Sequence, residues 1–328
     1  MSGKKKIPVL LVRKKMSDQQ IKKKEGDFFS QKAFSKIIKK SCDVYSVDET
    51  GEKKLLLVFR KNVIPLKICC DAYKALEKEA KVKHSNRGAA AGKISKKKLP
   101  NFIGQMTKVD KYRAYYKSKD GTQRKDHISN DVSSGIIGYY DRPDRNSYRK
   151  TRGKGTKKKE KEIEMCRTTK FTRDQVEKWR KTLPLIKKVD SLFKKLVPER
   201  HKIQLTRAKK KSKFQILKTA FSTVTINYNY RTALHKDKGD LEEGFGNLIV
   251  LEKGICFSPN SKIALHQGGY LGFPQYGVCV DVRQGDFLAM DVHEWHTNTP
   301  LKSAQKNNQD YGRLSLVCYL RKNMVHCH

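Results

Sequence analysis

The chain of 328 residues is strongly basic, because 73 Lys+Arg face 33 Asp+Glu and give a formal net charge of +40 at pH 7. Hydrophobic residues make up 37% of it, which is enough for a sizeable core and excludes a fully disordered chain. The early apolar run at residues 7–12 is short and flanked by lysines. We therefore expect neither a signal peptide nor a membrane span.

The positive charge is concentrated in the first two-thirds of the chain. Residues 221–328 contain 11 Lys+Arg and 10 Asp+Glu, so the first 220 residues hold the remaining 62 and 23, a net charge of +39. Surfaces of this kind bind polyanions. The asymmetry indicates either a polyanionic partner or merely a lysine-rich soluble protein. Composition alone does not separate DNA from RNA or from an anionic membrane surface.

The eight cysteines lack Cys-x-x-Cys spacing, and most lie in apolar segments. Such cysteines are typical of small buried hydrophobic side chains in a reducing compartment. We therefore predict free thiols and an intracellular location.

The first hundred residues predict a small α/β layer. Residues 7–12 and 55–59 have the composition of strands, whereas residues 34–38 and 72–80 have helical spacing. We predict that residues 1–84 form a basic N-terminal extension.

A glycine- and alanine-rich segment follows at residues 86–92. Arg87 lies among these small residues, and such an arrangement suits the edge of a backbone-lined pocket or a phosphate contact. A loop whose glycines only permit tight turns fits equally well.

The middle of the chain alternates basic and helical segments. Residues 112–117 interleave aromatic and cationic side chains, which is typical of base stacking but also of an exposed strand edge. Residues 142–161 predict a mobile basic loop. Thr172 with Gln175 predicts a helix start, and Pro184 predicts the first turn of a second helix with an apolar packing stripe.

From Phe221 onward the pattern predicts strands that form a double-stranded β-helix, a jelly-roll barrel of two facing sheets. His235-x-Asp237 ends one alternating segment, and His293 and His296 follow another. Two imidazoles and one carboxylate on one face of a metal are the ligand set of non-haem iron(II) oxygenases, which leaves open positions for substrates.

The last alternating strand begins with Arg313 and Ser315. An arginine can hold a carboxylate through two parallel hydrogen bonds, with a serine hydroxyl beside it. If this face of the strand lines the barrel, the buried guanidinium needs an anion, either a cosubstrate carboxylate or a protein carboxylate.

Several segments together resemble the TET/JBP branch of the 2-oxoglutarate/iron(II) dioxygenases. The resemblance covers about residues 84–322 and is weakest in the Lys-rich middle. It is carried by residues 86–92, 134–139, 227–230, 235–238, 268–274, 285–286 and 313–315.

The resemblance implies roles for individual residues. Iron(II) would be held by His235, Asp237 and His296, since the 17 positions from His296 to Arg313 fit the family better than the 20 from His293. The family's cosubstrate, 2-oxoglutarate, would be bound by Arg313, Ser315 and Asn227. Asp240 and Arg87 would contact the substrate, although Asp240 also suits an ordinary turn.

The resemblance also implies the activity and the organisation of the chain. The family oxidises the methyl group of 5-methylcytosine or thymine in nucleic acid, so DNA is expected over RNA as partner, with no membrane. Because one relative uses ascorbate, that cosubstrate stays an alternative. The predicted fold class is α+β, with residues 1–84 as an α/β extension and residues 85–328 as the dioxygenase domain. Within that domain, residues 85–220 would form the helical support and a basic loop, and residues 221–322 the β-helix core.

Three consequences remain open at this point. A location in the nucleus or another DNA-containing compartment follows from the DNA substrate. A prolyl or lysyl hydroxylase on the same barrel is an alternative, as is a nucleic-acid-binding protein with a degenerate barrel. The sequence predicts no oligomeric state.

Overall fold

The computed structural model describes residues 6–94, 106–109, 111–116, 126–142, 166–258, 265–304 and 310–327. Apart from Arg142, the predicted basic loop at residues 142–161 lies outside these ranges.

The described strands are numbered in chain order. They are β1 (Val9–Val12), β2 (Lys36–Ile38), β3 (Cys42–Val47), β4 (Lys53–Arg60), β5 (Lys83–His84), β6 (Met106–Val109), β7 (Ala114–Tyr116), β8 (Asp126–Ile128), β9 (Val132–Tyr140), β10 (Arg167–Thr168), β11 (Thr223–Tyr228), β12 (Gly246–Glu252), β13 (His266–Gly268), β14 (Leu271–Phe273), β15 (Val278–Val280), β16 (Phe287–Met290), β17 (Thr297–Asn298), β18 (Leu301–Ser303) and β19 (Arg313–Tyr319). The helices are α1 (Asp18–Lys23), α2 (Leu66–Ala80), α3 (Lys170–Asp174), α4 (Val176–Leu196), α5 (Pro198–Lys209) and α6 (Lys253–Phe257).

Two sheets form the jelly-roll core. The major sheet has the order β1-β3-β4-β16-β12-β19-β11-β9-β10, and the minor sheet has the order β17-β14-β15-β2. Apolar side chains of both sheets share one buried cluster, which includes Leu248 and Leu288 of the major sheet and Phe273 and Val280 of the minor sheet. The inner face of the major sheet therefore packs on the minor sheet.

Alternation along β19 separates the core from the site. Leu314, Leu316 and Cys318 point to the outer face, where they join the apolar cluster under α2 and α4. Arg313 and Ser315 point the other way and line a cavity between the sheets. Successive residues of a strand face opposite sides of a sheet, so the predicted polar positions meet on the inner face.

Helix α4 differs from the predicted pair of helices. It runs unbroken past Pro184, which lies inside it, and the Thr172 hydroxyl accepts a hydrogen bond from the Gly138 backbone N–H instead of capping a helix. The apolar stripe after the proline, which includes Leu185, Val189 and Phe193, is buried in the core cluster, and the partly buried Trp179 and Leu183 before the proline pack against the same cluster. This packing holds the helix together where its local sequence signals a start.

The N-terminal strands belong to both sheets. Strand β4 pairs with β16 in the major sheet, and β2 pairs in parallel with β15 in the minor sheet. The helical prediction for residues 34–38 is therefore wrong. The Phe34 ring packs directly over Gly272 of β14, a tertiary contact that local spacing does not encode. The domain division at residue 84 stays a prediction.

The cysteines also depart from expectation. Cys166 and Cys327 form a disulfide with their Cα atoms 5.3 Å apart, so the prediction of eight free thiols is wrong for these two. Packing of the C-terminal segment against Leu241 and Leu320 brings the pair together. The other six cysteines are buried free thiols. Among the described helices, none is both long and apolar enough to cross a membrane.

Gly268 is expected to be a point of high sensitivity to substitution. Its φ is +73°, and an added Cβ would collide with the Pro300 carbonyl oxygen. Gly268→Ala should therefore destabilise the fold by about 3 kcal/mol or more, from left-handed backbone strain and overpacking together. Gly51→Ala is the matched control, since φ is +88° there but nothing lies within 4 Å of the added Cβ. It should cost about 1–2 kcal/mol. Equal losses in urea unfolding would contradict the collision.

Candidate metal centre and cosubstrate pocket

His235, Asp237 and His296 converge at one end of the cavity. Asp237 Oδ1 lies 3.5 Å from His235 Nε2, and Asp237 Oδ2 lies 3.6 Å from His296 Nε2. One ligand atom from each residue falls within 4.8 Å of the other two. The spacing suits three ligands around one ion.

Backbone hydrogen bonds tie the two ligand-bearing segments together. The N–H groups of His235 and His296 each donate to the other residue's carbonyl oxygen at 3.0 Å, and the Asp237 N–H donates to Val292 O at 3.0 Å. Two residues that are 61 positions apart in sequence are thereby held side by side. The three candidate ligands thus lie where these two segments are hydrogen-bonded to each other.

Each imidazole is also oriented by a second hydrogen bond. His235 Nδ1 lies 2.8 Å from Ala233 O, and His296 Nδ1 lies 2.9 Å from Glu294 O. A carbonyl oxygen only accepts hydrogen bonds, so both Nδ1 atoms carry the proton. The Nε2 lone pair of each ring is left for a metal, which is the arrangement of ligating histidines.

The ionisation states suit a metal as well. Burial, with His296 beside it, lowers the pKa of His235 to about 4, so this ring is neutral at pH 7. Burial opposes ionisation of Asp237, but the adjacent His296 and His235 bring the pKa of this carboxyl below its usual value. Burial lowers the pKa of His296, but the adjacent Asp237 outweighs it and raises this pKa above its usual value, so a bound metal would replace any proton on its Nε2. Two imidazole nitrogens and one carboxylate are thus a donor set that fits iron(II).

His293, the rejected alternative ligand, lies outside this group. Its Nε2 is 3.1 Å from Leu241 O, and its backbone N–H donates to Asp291 Oδ1 at 3.0 Å. Of the two candidates, the structure brings His296 to the other ligands.

Arg313 lies in the same cavity, whose volume is about 450 Å³. Its side chain is buried, and burial lowers its pKa to about 10, so it is still a cation at pH 7. Nη2 donates to Gly269 O at 3.3 Å, whereas Nε is buried without a hydrogen-bond partner among the described residues. A buried donor without a partner costs free energy, and an anion in the cavity would satisfy it.

Ser315 and Asn227 lie beside this arginine on paired strands. They are direct cross-strand partners in β19 and β11, and Asn227 Nδ2 donates to Ser315 Oγ at 3.5 Å. On the other side, the Ser134 hydroxyl donates to Asn227 Oδ1. All three side chains line the cavity, which places polar groups between the metal ligands and Arg313.

Sequence reasoning missed a buried charge cluster behind Arg313. Glu252 is its cross-strand partner in β12. Arg283 Nη1 donates to His266 Nε2 at 2.9 Å, and Glu252 Oε2 lies 3.7 Å from His266 Nδ1. Burial and the nearby Arg313 and Arg283 lower the pKa of His266 to about 2, so it is neutral. No sequence motif marks these residues, because they come from separate elements.

Asp240 and Arg87 both line the cavity, where Asp240 is buried. Arg87 Nη2 donates to Gly135 O at 2.9 Å. Burial, together with the nearby Asp237, raises the pKa of Asp240 well above its usual value. Arg321 also lines the cavity, where its Nε donates to the buried Asp141. Neither Arg321 nor Asp141 was expected from the sequence.

Comparison with known proteins places this geometry in a family. A family model described as the oxygenase domain of the 2OGFeDO superfamily, Tet_JBP, matches residues 137–322. Thymine dioxygenase JBP1 from Trypanosoma brucei brucei is 32% identical over 238 residues, which are 72% of this chain and 24% of that protein. A bifunctional helicase and thymine dioxygenase, JBP2 from Leishmania major, is 31% identical over 192 residues, 58% of this chain and 15% of that protein.

The match thus spans about a quarter or less of these relatives. A solved structure of NgTET1 in complex with 5mC DNA is similar with a TM-score of 0.47 and 11% identity, covering 98% of this chain and 85% of that one. The family model covers more than half of the 328 residues. The chain therefore belongs to the Tet_JBP family of oxygenase domains, within the 2OGFeDO superfamily.

Proposed function

We propose that this protein is an iron(II)- and 2-oxoglutarate-dependent dioxygenase that oxidises the methyl group of a modified pyrimidine, 5-methylcytosine or thymine, in DNA. The observation that carries the proposal is one cavity with a metal-binding triad at one end and a buried, incompletely hydrogen-bonded arginine in its wall. Superfamily membership implies iron(II) and 2-oxoglutarate in general.

The protein's own residues have distinct roles in this proposal. His235, Asp237 and His296 hold iron(II), which supplies the activation of dioxygen needed to oxidise a methyl C–H bond. Arg313 binds the far carboxylate of 2-oxoglutarate, with Ser315 and Asn227 beside it.

The nucleic-acid substrate is supported by relatives and by charge. JBP1 and JBP2 are named thymine dioxygenases, and the first 220 residues carry the excess positive charge. A base in a duplex must be flipped out of the stack to enter such a cavity. Asp240 and Arg87 line the cavity, and in this proposal they contact the base or its backbone. DNA as substrate would put the protein in the nucleus or another DNA-containing compartment.

Arg313 favours 2-oxoglutarate over ascorbate as cosubstrate. Its guanidinium is charged and buried, and a dicarboxylate supplies the anion that such a group needs. We also propose that residues 85–328 act as the dioxygenase domain, with residues 1–84 as an extension.

The direct test is turnover by the protein reconstituted with iron(II). We expect succinate to form in step with oxidised base when duplex DNA contains 5-methylcytosine or thymine, measured by mass spectrometry of the digested nucleosides. RNA of the same sequence should react more slowly. Succinate that forms only with a prolyl or lysyl peptide would indicate a protein hydroxylase. DNA binding without iron uptake would indicate a degenerate barrel.

A further inference from the structure

A stretch without any acidic residue precedes the metal ligands. Residues 200–236 contain no Asp or Glu but ten Lys or Arg. The stretch covers most of α5, the turn after it and β11. A run of one charge sign is often only a solvated surface, so its meaning depends on where the fold places it.

The cations of α5 and the following turn lie on one exposed surface. The inner face of helix α5 is buried through His201, Gln204 and Ala208. The outward side chains are exposed and form what we name the α5 ridge: Lys202, Arg207, Lys209, Lys210 and Lys213. Arg207 and Lys210 are three positions apart, and Lys202 and Lys209 are seven positions or about two turns apart, so each pair shares a side of the helix.

The buried face of α5 fixes this ridge to the mouth of the cavity. Ala208 shares a core cluster with Leu241 and Leu320. Gln204 Oε1 accepts from the Phe245 N–H at 3.1 Å, and Arg200 Nη1 donates to Glu243 O at 3.0 Å. The partners other than Leu320 lie at residues 241–245, directly after Asp237 in the chain, so the ridge packs on the segment that continues from the candidate metal ligands.

The mouth of the cavity is also rimmed by cations. Arg87, Arg142, Lys236, Lys238 and Arg321 all line the cavity. The turn at residues 239–244 connects this rim to α5, because the Lys322 N–H donates to Gly239 O at 3.1 Å and Arg207 lies 3.6 Å from Glu243. The turn itself carries Asp240, Glu242 and Glu243 and no Lys or Arg, so the cations of the rim and those of the ridge are two positive patches joined by an acidic turn.

We propose that the α5 ridge binds the phosphate backbone of a nucleic-acid duplex while one of its bases occupies the cavity. This inference rests on the proposed function and gives the substrate a place on the surface. Single-strand binding surfaces combine cations with aromatic side chains on which bases stack. Residues 198–213 contain no Phe, Tyr or Trp, so the ridge suits phosphates rather than unpaired bases.

The test is a triple variant, Lys202→Gln with Lys209→Gln and Lys210→Gln, measured for duplex binding without metal. These side chains are exposed and have no hydrogen bond or ion pair to other described residues. Each phosphate contact contributes about 0.9 to the slope of log affinity against log salt. The slope should therefore fall by about 2.7, and affinity near ~0.1 M salt should fall more than about tenfold.

The matched control removes the same charge elsewhere. Lys36, Lys39 and Lys40 are exposed at β2, the edge of the minor sheet opposite β17. Their glutamine variants should leave the salt slope within about one unit of the unmodified protein. An unchanged slope in the ridge variant, or an equal loss in both variants, would overturn the ridge assignment.

Because this binding assay contains no iron or cosubstrate, its result is independent of the chemistry. Weaker duplex binding together with absent methyl oxidation in the unmodified protein would support the ridge and refute the proposed function. Unchanged duplex binding by the ridge variant, together with succinate-coupled oxidation by the unmodified protein, would refute the ridge and support the proposed function.

Discussion

Asp237→Ala and His235→Ala are each expected to abolish methyl oxidation while leaving duplex affinity within about twofold. Each variant removes one of three ligands, and loss of even an outer partner of a metal ligand costs about 10–100-fold in metal affinity or activity. The cations of the α5 ridge are separate from these side chains in sequence. The variants should therefore lose methyl oxidation without losing duplex binding. Iron content by mass spectrometry, succinate release and duplex affinity are the three measurements.

His293→Ala is the matched control for these variants. His293 lies three positions before His296, and its Nε2 faces the Leu241 carbonyl oxygen at 3.1 Å rather than the triad. It should keep iron and most of its turnover. Full activity with iron bound in the Asp237 or His235 variant would show that the ligand assignment is wrong.

Arg313→Lys is expected to raise the 2-oxoglutarate requirement by about 10–100-fold. The guanidinium is fully enclosed, and its Nε has no partner among the described residues. A charge-assisted hydrogen bond contributes about 1.5–3 kcal/mol, and about 1.4 kcal/mol corresponds to a tenfold change in affinity. Lysine keeps the charge but cannot reproduce the two-pronged contact with a carboxylate.

The measurements for Arg313→Lys are 2-oxoglutarate affinity by calorimetry and its concentration dependence in turnover. Arg231→Lys is the control for the same chemical change, because Arg231 stacks over Phe28 and hydrogen-bonds Phe29 O outside the cavity. It should leave 2-oxoglutarate affinity unchanged. Methyl oxidation that proceeds without 2-oxoglutarate while consuming ascorbate would refute the role of Arg313.

The sequence predicted which residues would meet at the candidate metal site. His235 and Asp237 are two positions apart, so any extended backbone keeps both side chains on one face. The spacing to Arg313 favoured His296 over His293, and the structure places His296 with the other ligands. The alternation of β19 likewise predicted that Arg313 and Ser315 share a face, and both line the cavity. The roles of these residues stay predictions.

Local patterns failed where a tertiary contact outweighs them. Residues 34–38 have helical spacing, yet β2 extends along β15 because a sheet edge supplies hydrogen bonds to it. Pro184 signals a helix start, yet α4 continues through it because apolar side chains before and after the proline pack on the same core cluster. Propensity differences of about 1 kcal/mol or less for ordinary residues, and of about 3 kcal/mol for the proline, are exceeded by the burial of several apolar side chains at about 1.5–3 kcal/mol each.

The sequence was sufficient for the class of chemistry, because a ligand pair or an alternating strand depends only on neighbours along the backbone. Only the tertiary structure decided which distant groups complete the site. Glu252, His266 and Arg283 surround Arg313 although they belong to separate elements. The α5 ridge lies beside the mouth because Ala208 packs against Leu241 and Leu320. Contacts of this kind depend on the packing of remote side chains, for which a single sequence carries no local signal.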